Sequence, residues 1–279
     1  MTLRQHILAR RSSLSWIPSR KVRRWGWRLT TLRAPMVRRS ARRLVTRLLR
    51  PVVAWIFNRR AVARLTRRTH VLCLGDSNVL ILRRLGLHGV WLHRFGLGGA
   101  TAGWIDNPVP DALSSEIFTE RLARARPWQQ VLFMLGGVDC SFVIWHHAEE
   151  HALDVQDVFR DTVDAYSERI RRTIEMGFER VLVVSPPLPT MGDIQRSRGL
   201  RGKISGTHRE RTALTRQFNA EVERRCQELG AVFVDVTSEQ LDPQTGLIAS
   251  RFVREDKNHH LKPEPYKEVV RRELATLDW

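Results

Sequence analysis

The feature that most constrains this chain is an alternation, beginning at His70, of short apolar runs with longer amphipathic stretches. The runs predict strands over 70–74, 90–95, 130–135, 180–185 and 231–236. Apolar residues at three- and four-residue spacing predict helices at about 78–86, 111–126, 153–177, 208–229 and 264–277. Strand and helix in alternation build βα units around a mostly parallel sheet. The expected fold class is α/β, a three-layer α/β/α sandwich of five strands over residues 70–279.

Sheets of this kind collect ligands beyond the carboxyl ends of their strands. Four of the expected strands end in loops rich in glycine, proline or small polar residues: Gly75-Asp-Ser-Asn78, Gly96-Leu-Gly-Gly-Ala-Thr101, Gly136-Gly-Val-Asp-Cys140 and Pro186-Pro-Leu-Pro189. Taken singly, each glycine reads as a turn residue. Together the loops describe the rim of a site along one sheet edge. The long Gly- and Arg-rich stretch over 187–210 follows the fourth strand and is either a substrate-covering loop or a solvated connector.

Within that rim, Ser77 stands between an apolar strand and a helix, where its hydroxyl either serves as a nucleophile or caps the helix. A serine hydroxyl becomes nucleophilic only with a base in reach, a group to orient the base, and donors for the oxyanion. The segment Asp256-Lys-Asn-His-His-Leu-Lys-Pro-Glu-Pro-Tyr266 supplies an acid and two histidines just before the last helix. An acid bonded to one ring nitrogen leaves the other free to take a proton. His93, His146 and His147 lack such a setting and read as ordinary surface histidines.

Gly75-Asp-Ser77, Gly98-Gly99, Gly136-x-x-Asp139 and Asp256…His-Leu-x-Pro-Glu-x-Tyr266 resemble, in order and spacing, the four blocks of the SGNH/GDSL hydrolase superfamily. The resemblance covers about residues 70–279. It implies a flavodoxin-like fold and a Ser-His-Asp site without metal or cofactor. Its implied activity is esterase or acyl-transfer chemistry on acylated small molecules, lipids or sugars. Carried onto this chain, it makes Ser77 the nucleophile. The base is His260 by the downstream motif or His259 by the three-residue spacing from Asp256, the orienting acid. Asp76, Gly98, Gly99, Gly136, Gly137 and Asp139 then form the oxyanion and substrate-binding rim, with N–H donors from Ser77 and Gly99 or Gly98. The third block departs from the family pattern, because Val138 stands where an asparagine usually donates to the oxyanion. The run Leu135-Gly-Gly-Val-Asp-Cys140 is similar to a branch of SGNH-like proteins associated with bacterial surface polysaccharides. That points to an acyl, and in particular acetyl, ester of a glycan as substrate.

Charge divides the chain in two. Residues 1–70 hold twenty Arg and Lys and no Asp or Glu, out of 47 basic and 29 acidic residues in all, so the remaining 209 residues are near neutral. The chain is thus expected to carry a basic, partly helical extension over 1–69 before a catalytic domain over 70–279. Within 41–68, Leu44, Leu48, Leu49, Val52, Trp55 and Ile56 recur at near-helical spacing among arginines, the pattern of an amphipathic helix suited to an anionic membrane surface. Nucleic acid is the weaker partner, since no helix-turn-helix, zinc or RNA-binding motif accompanies the charge. Residues 1–35 also read as a solvated tail or as an extension upstream of Met36.

The run Pro51–Phe57 is far short of the roughly 20 apolar residues that span a bilayer, and recurrent arginine argues against a secretory signal. Three widely spaced cysteines, Cys73, Cys140 and Cys226, suggest neither a disulfide framework nor a zinc site, which fits a reducing, cytoplasmic compartment with peripheral membrane contact. Three classes of function remain: a serine esterase or O-acyltransferase, a non-catalytic glycan-binding protein using the same cleft, and a membrane-surface adaptor acting through the basic segment.

Overall fold

The computed structural model of the chain describes residues 68–103, 114–125, 129–193, 205–254 and 259–279. Residues 1–67 of the basic extension, and with them all but the last residue of the helix expected over 41–68, lie outside the described residues.

Five strands form one parallel sheet: β1 (Thr69–Gly75), β2 (Val90–Gly96), β3 (Gln130–Met134), β4 (Val181–Val184) and β5 (Val232–Val234), in the order β2-β1-β3-β4-β5. All four ladders are parallel. Successive side chains of a strand point to opposite faces, so a strand buried on both sides must be apolar at every position. β3 is fully buried throughout, and it divides its residues between two cores. Val131, Phe133 and Leu135 pack on one face with Val181 and Val183; Leu132 and Met134 pack on the other with Leu182 and Val184.

The first core is covered by α1 (Ser114–Arg124), α2 (Ile144–His151), α3 (Val155–Glu175) and α4 (His208–Leu229), through Phe118, Ile144, Tyr166 and Phe218 among others. The second is covered by α5 (Pro263–Ala275), through Tyr266, Val269, Val270 and Leu274, and by Val79 and Leu82 of a short turn after β1. Each large apolar side chain taken wholly from water contributes about 1.5–3 kcal/mol before chain entropy is counted. The sandwich expected from the alternation is therefore present.

Two details differ from the sequence expectation. The helix expected over 78–86 is a six-residue 3-10 turn, Ser77–Leu82, ended by extended backbone at Arg83. Between β3 and α3 a π-helical turn, Asp139–Val143, leads straight into α2, and periodicity shows neither because each is too short to repeat. The three cysteines are free and buried, and no helix among the described residues is long and apolar enough to cross a membrane.

Buried Arg211 near the start of α4 donates to the carbonyls of Gly206 (2.6 Å) and Met191, clamping the two ends of the stretch expected to be a loop over 187–210. Thr207 and Glu210 form a capping box that starts α4 there. Residues 194–204 of that stretch lie outside the described residues.

Candidate active site

The strand order places a topological switch at β1, whose chain neighbour β2 lies on one side and β3 on the other. Loops leaving β1 and β3 diverge at such a point and open a crevice.

β1 ends at Gly75, where an added Cβ would stand 2.5 Å from the Met134 carbonyl oxygen, so only glycine lets β1 close on β3. Asp76 then turns the chain: its carboxylate accepts from the Asn78 N–H at 2.7 Å and its carbonyl from the Val79 N–H at 3.2 Å. Asp76 is thus the cap that the sequence also allowed Ser77 to be. Ser77 opens the turn with its hydroxyl uncommitted to the backbone. Buried Val79 and Leu82 lock the turn onto the second core, leaving Ser77 and Asn78 half-buried at the sheet edge.

His260 arrives from the other end of the chain. Leu261 is buried and bridges Val253, and the Lys262 N–H donates to the Phe252 carbonyl at 2.7 Å, fixing the residue just before them. The result is a 2.8 Å hydrogen bond between Ser77 Oγ and His260 Nε2, across 183 residues of sequence. This is the contact a general base needs to take the serine proton.

His259 does not share that contact. Its ring lies 4.0 Å from that of His260 and meets Phe142 edge-on at 6.2 Å, at the surface of the rim. Desolvation, with the nearby His260, pushes its imidazole down to about 4. Asp256, the expected orienting acid, lies outside the described residues.

The second loop is a tight turn, with the Ala100 N–H donating to the Leu97 carbonyl at 3.1 Å and Gly99 at φ +77° in the third position. Leu97 N–H reaches the Gly75 carbonyl at 3.0 Å, so this turn sits directly beside the Ser77 loop, and Gly98 faces open space.

The third loop begins at Gly136, whose φ of +107° and contact with the Phe218 ring admit no side chain. Gly137 packs against the first loop: a Cβ there would lie 3.3 Å from Asn78 Nδ2 and 3.4 Å from Asp76 Oδ2. Val138 places an apolar side chain directly before Asp139. Asp139 is fully buried, accepting from the Ala102 N–H at 2.8 Å and the Gly103 N–H at 3.1 Å. Its carboxylate therefore ties the third loop to the second.

Burial dominates the electrostatics beneath the nucleophile. Asp76 is pushed up to about 7, first by burial and further by the Asp139 charge, against the opposing pull of its N–H donors. Burial likewise raises Asp139, offset by its backbone donors and by Arg169. Burial thus disfavours the charged form of both carboxylates.

The structure thus brings Ser77 and His260 into contact and gathers Asp76, Gly98, Gly99, Gly136, Gly137 and Asp139 around them. Sequence reading gave no role to Asn78, although its place directly after Ser77 in a loop was the available signal. Among the described residues, no group of three or more His, Cys, Asp or Glu side chains is arranged to hold a metal ion.

The layers, strand order and serine-bearing switch point define a three-layer α/β/α fold with a parallel five-stranded sheet. No protein-family model matches the chain, and a search of curated proteins finds no match. Solved structures do match. A carbohydrate acetylesterase from Sinorhizobium meliloti is similar over 76% of this chain and 100% of its own, with 16% identity and a TM-score of 0.51. An inhibitor-bound aryl esterase from M. smegmatis is similar over 75% of this chain and 100% of its own, with 15% identity and a TM-score of 0.50. At these identities the likeness is one of fold.

Proposed function

We propose that this protein is a serine esterase or O-acyltransferase of the SGNH type, acting on an acyl ester of a glycan or similar small acylated substrate. The observation that carries the reading is the 2.8 Å bond between Ser77 Oγ and His260 Nε2 at the switch point of the sheet. The carbohydrate acetylesterase of the same fold supports an acetylated sugar as the substrate class.

In the mechanism this geometry supports, His260 Nε2 takes the Ser77 proton as Oγ bonds to the ester carbonyl carbon. The carbonyl oxygen becomes an oxyanion within reach of the Ser77 N–H and the Gly98–Gly99 turn. Protonated His260 then gives its proton to the leaving sugar oxygen, the C–O bond breaks, and an acyl-Ser77 ester remains. A water, or another sugar hydroxyl, loses its proton to His260, attacks the acyl carbon and restores Ser77. Asp256 orients His260 in this reading, and the arginine-rich stretch over 41–68 brings the domain to an anionic membrane surface.

The test offers purified protein an acetylated oligosaccharide in water and follows both free acetate and acetyl transfer between sugars. Acetyl loss from the donor by the native chain and none by Ser77→Ala, with both proteins equally folded, is the expected result. Equal turnover by the two would overturn the proposal, and vesicle binding unchanged by deleting residues 1–68 would remove the membrane contact.

A further inference from the structure

The oxyanion forms two bonds away from Ser77 Oγ, so its donors must come from the groups lining the junction of the first three loops. The third loop supplies no side-chain donor just before Asp139, since Val138 is apolar. Something else fills that junction. The side-chain amide of Asn78 lies against Gly137, with Nδ2 3.3 Å from the point where a Cβ would stand. The absence of a side chain at 137 is what admits the amide between the first and third loops.

We propose that Asn78 Nδ2 is a donor to the oxyanion, replacing the donor that Val138 lacks; this rests on the esterase reading above. Two observations and the chemistry of an amide position it. The buried Asp76 carboxylate takes the backbone N–H of Asn78 at 2.7 Å, and a single point, where a Cβ at 137 would stand, lies 3.3 Å from Asn78 Nδ2 and 3.4 Å from Asp76 Oδ2, so the amide nitrogen and the carboxylate border the same gap. An amide nitrogen has two N–H groups, so one facing the Asp76 carboxylate leaves the second for a ligand. Asn78 is half-buried beside half-buried Ser77 on a turn whose buried Val79 and Leu82 face the core, which keeps Asn78 at the same edge as the nucleophile.

The arrangement is pre-organised: the amide is oriented before charge develops and needs no rearrangement at the moment of attack. Donors of that kind act mainly on the chemical step. Removing this one should therefore lower kcat and leave KM near its native value. Gly137 gives an independent handle, because a methyl at 137 presses on the amide while its φ is not left-handed.

The experiment measures kcat and KM for an aryl acetate with the native chain, Asn78→Ala, Gly137→Ala and Ser77→Ala, alongside the rate and final stoichiometry of Ser77 labelling by a fluorophosphonate. For Asn78→Ala the expected result is a fall in kcat on the order of 10²–10³ with KM within about twofold. Labelling of that variant should be slower yet complete, showing that the serine site is intact. Gly137→Ala should shift kcat in the same direction. A kcat for Asn78→Ala within about threefold of native, or a loss that appears in KM instead, overturns the assignment of Asn78. Native-like turnover by Ser77→Ala would sink the esterase reading instead, a result the Asn78 variant cannot produce.

Discussion

The carboxylate of Asp139 accepts the Ala102 N–H at 2.8 Å, and with the Gly103 N–H at 3.1 Å it anchors the second loop of the rim to the third. Asp139→Ala strands both donors in a site with no water access. Each orphaned buried N–H costs about 1–3 kcal/mol, so urea unfolding should show a loss of about 2–6 kcal/mol. Asp139→Asn keeps one acceptor oxygen and should lose less. An alanine variant within about 0.5 kcal/mol of native would contradict this tie, since changes of that size are ordinary for uninvolved surface sites.

Gly136 holds φ +107° with the Phe218 ring where a Cβ would stand, at 2.5 Å. Gly136→Ala combines backbone strain with overpacking, each about 1–3 kcal/mol. Thermal melting should show a clear drop in Tm, and an unchanged Tm would show that the loop can relax without cost.

Asp76 gives the fold a pH dependence of definite sign. Its folded pKa is raised to about 7 from an unfolded value of 3.8, so between these values the folded state holds the extra proton. Its contribution to stability is full below about 4 and is lost as pH rises through about 7. Asp76→Asn keeps the cap acceptor for Asn78 and removes the titration. The variant should lose less stability than the native chain between pH 4 and 7 in denaturant titrations, with the buried Asp139 contributing a residual slope of the same sign. A native-like slope in the variant would place the titration elsewhere.

Much of this arrangement was legible in the sequence, because a parallel strand buried on both faces must be a continuous apolar run and a loop at its carboxyl end must be small or polar. The run over 130–135 announces β3, and Gly75-Asp-Ser77 announces the turn that follows β1. The choice between His259 and His260 as base was open in sequence, since neighbouring residues share their local motif. In space Leu261 is drawn into the core and His260 meets Ser77, while His259 is left against Phe142 at the surface. The capping role of Asp76 and the clamp made by Arg211 were not legible, because each depends on which backbone groups a fold leaves without partners. Asp139 illustrates the same limit: its place in a motif suggests the rim, while its bonds to residues 36 and 37 positions earlier exist only in three dimensions.

The central claim is that Ser77 is a nucleophile activated by His260. It is tested most directly by treating the native chain with a fluorophosphonate and mapping the adduct by peptide mass spectrometry. One adduct on the peptide holding Ser77, absent in Ser77→Ala and formed at least about 10²-fold more slowly in His260→Ala, is the predicted result. No adduct on Ser77, or a rate untouched by the loss of His260, would contradict it.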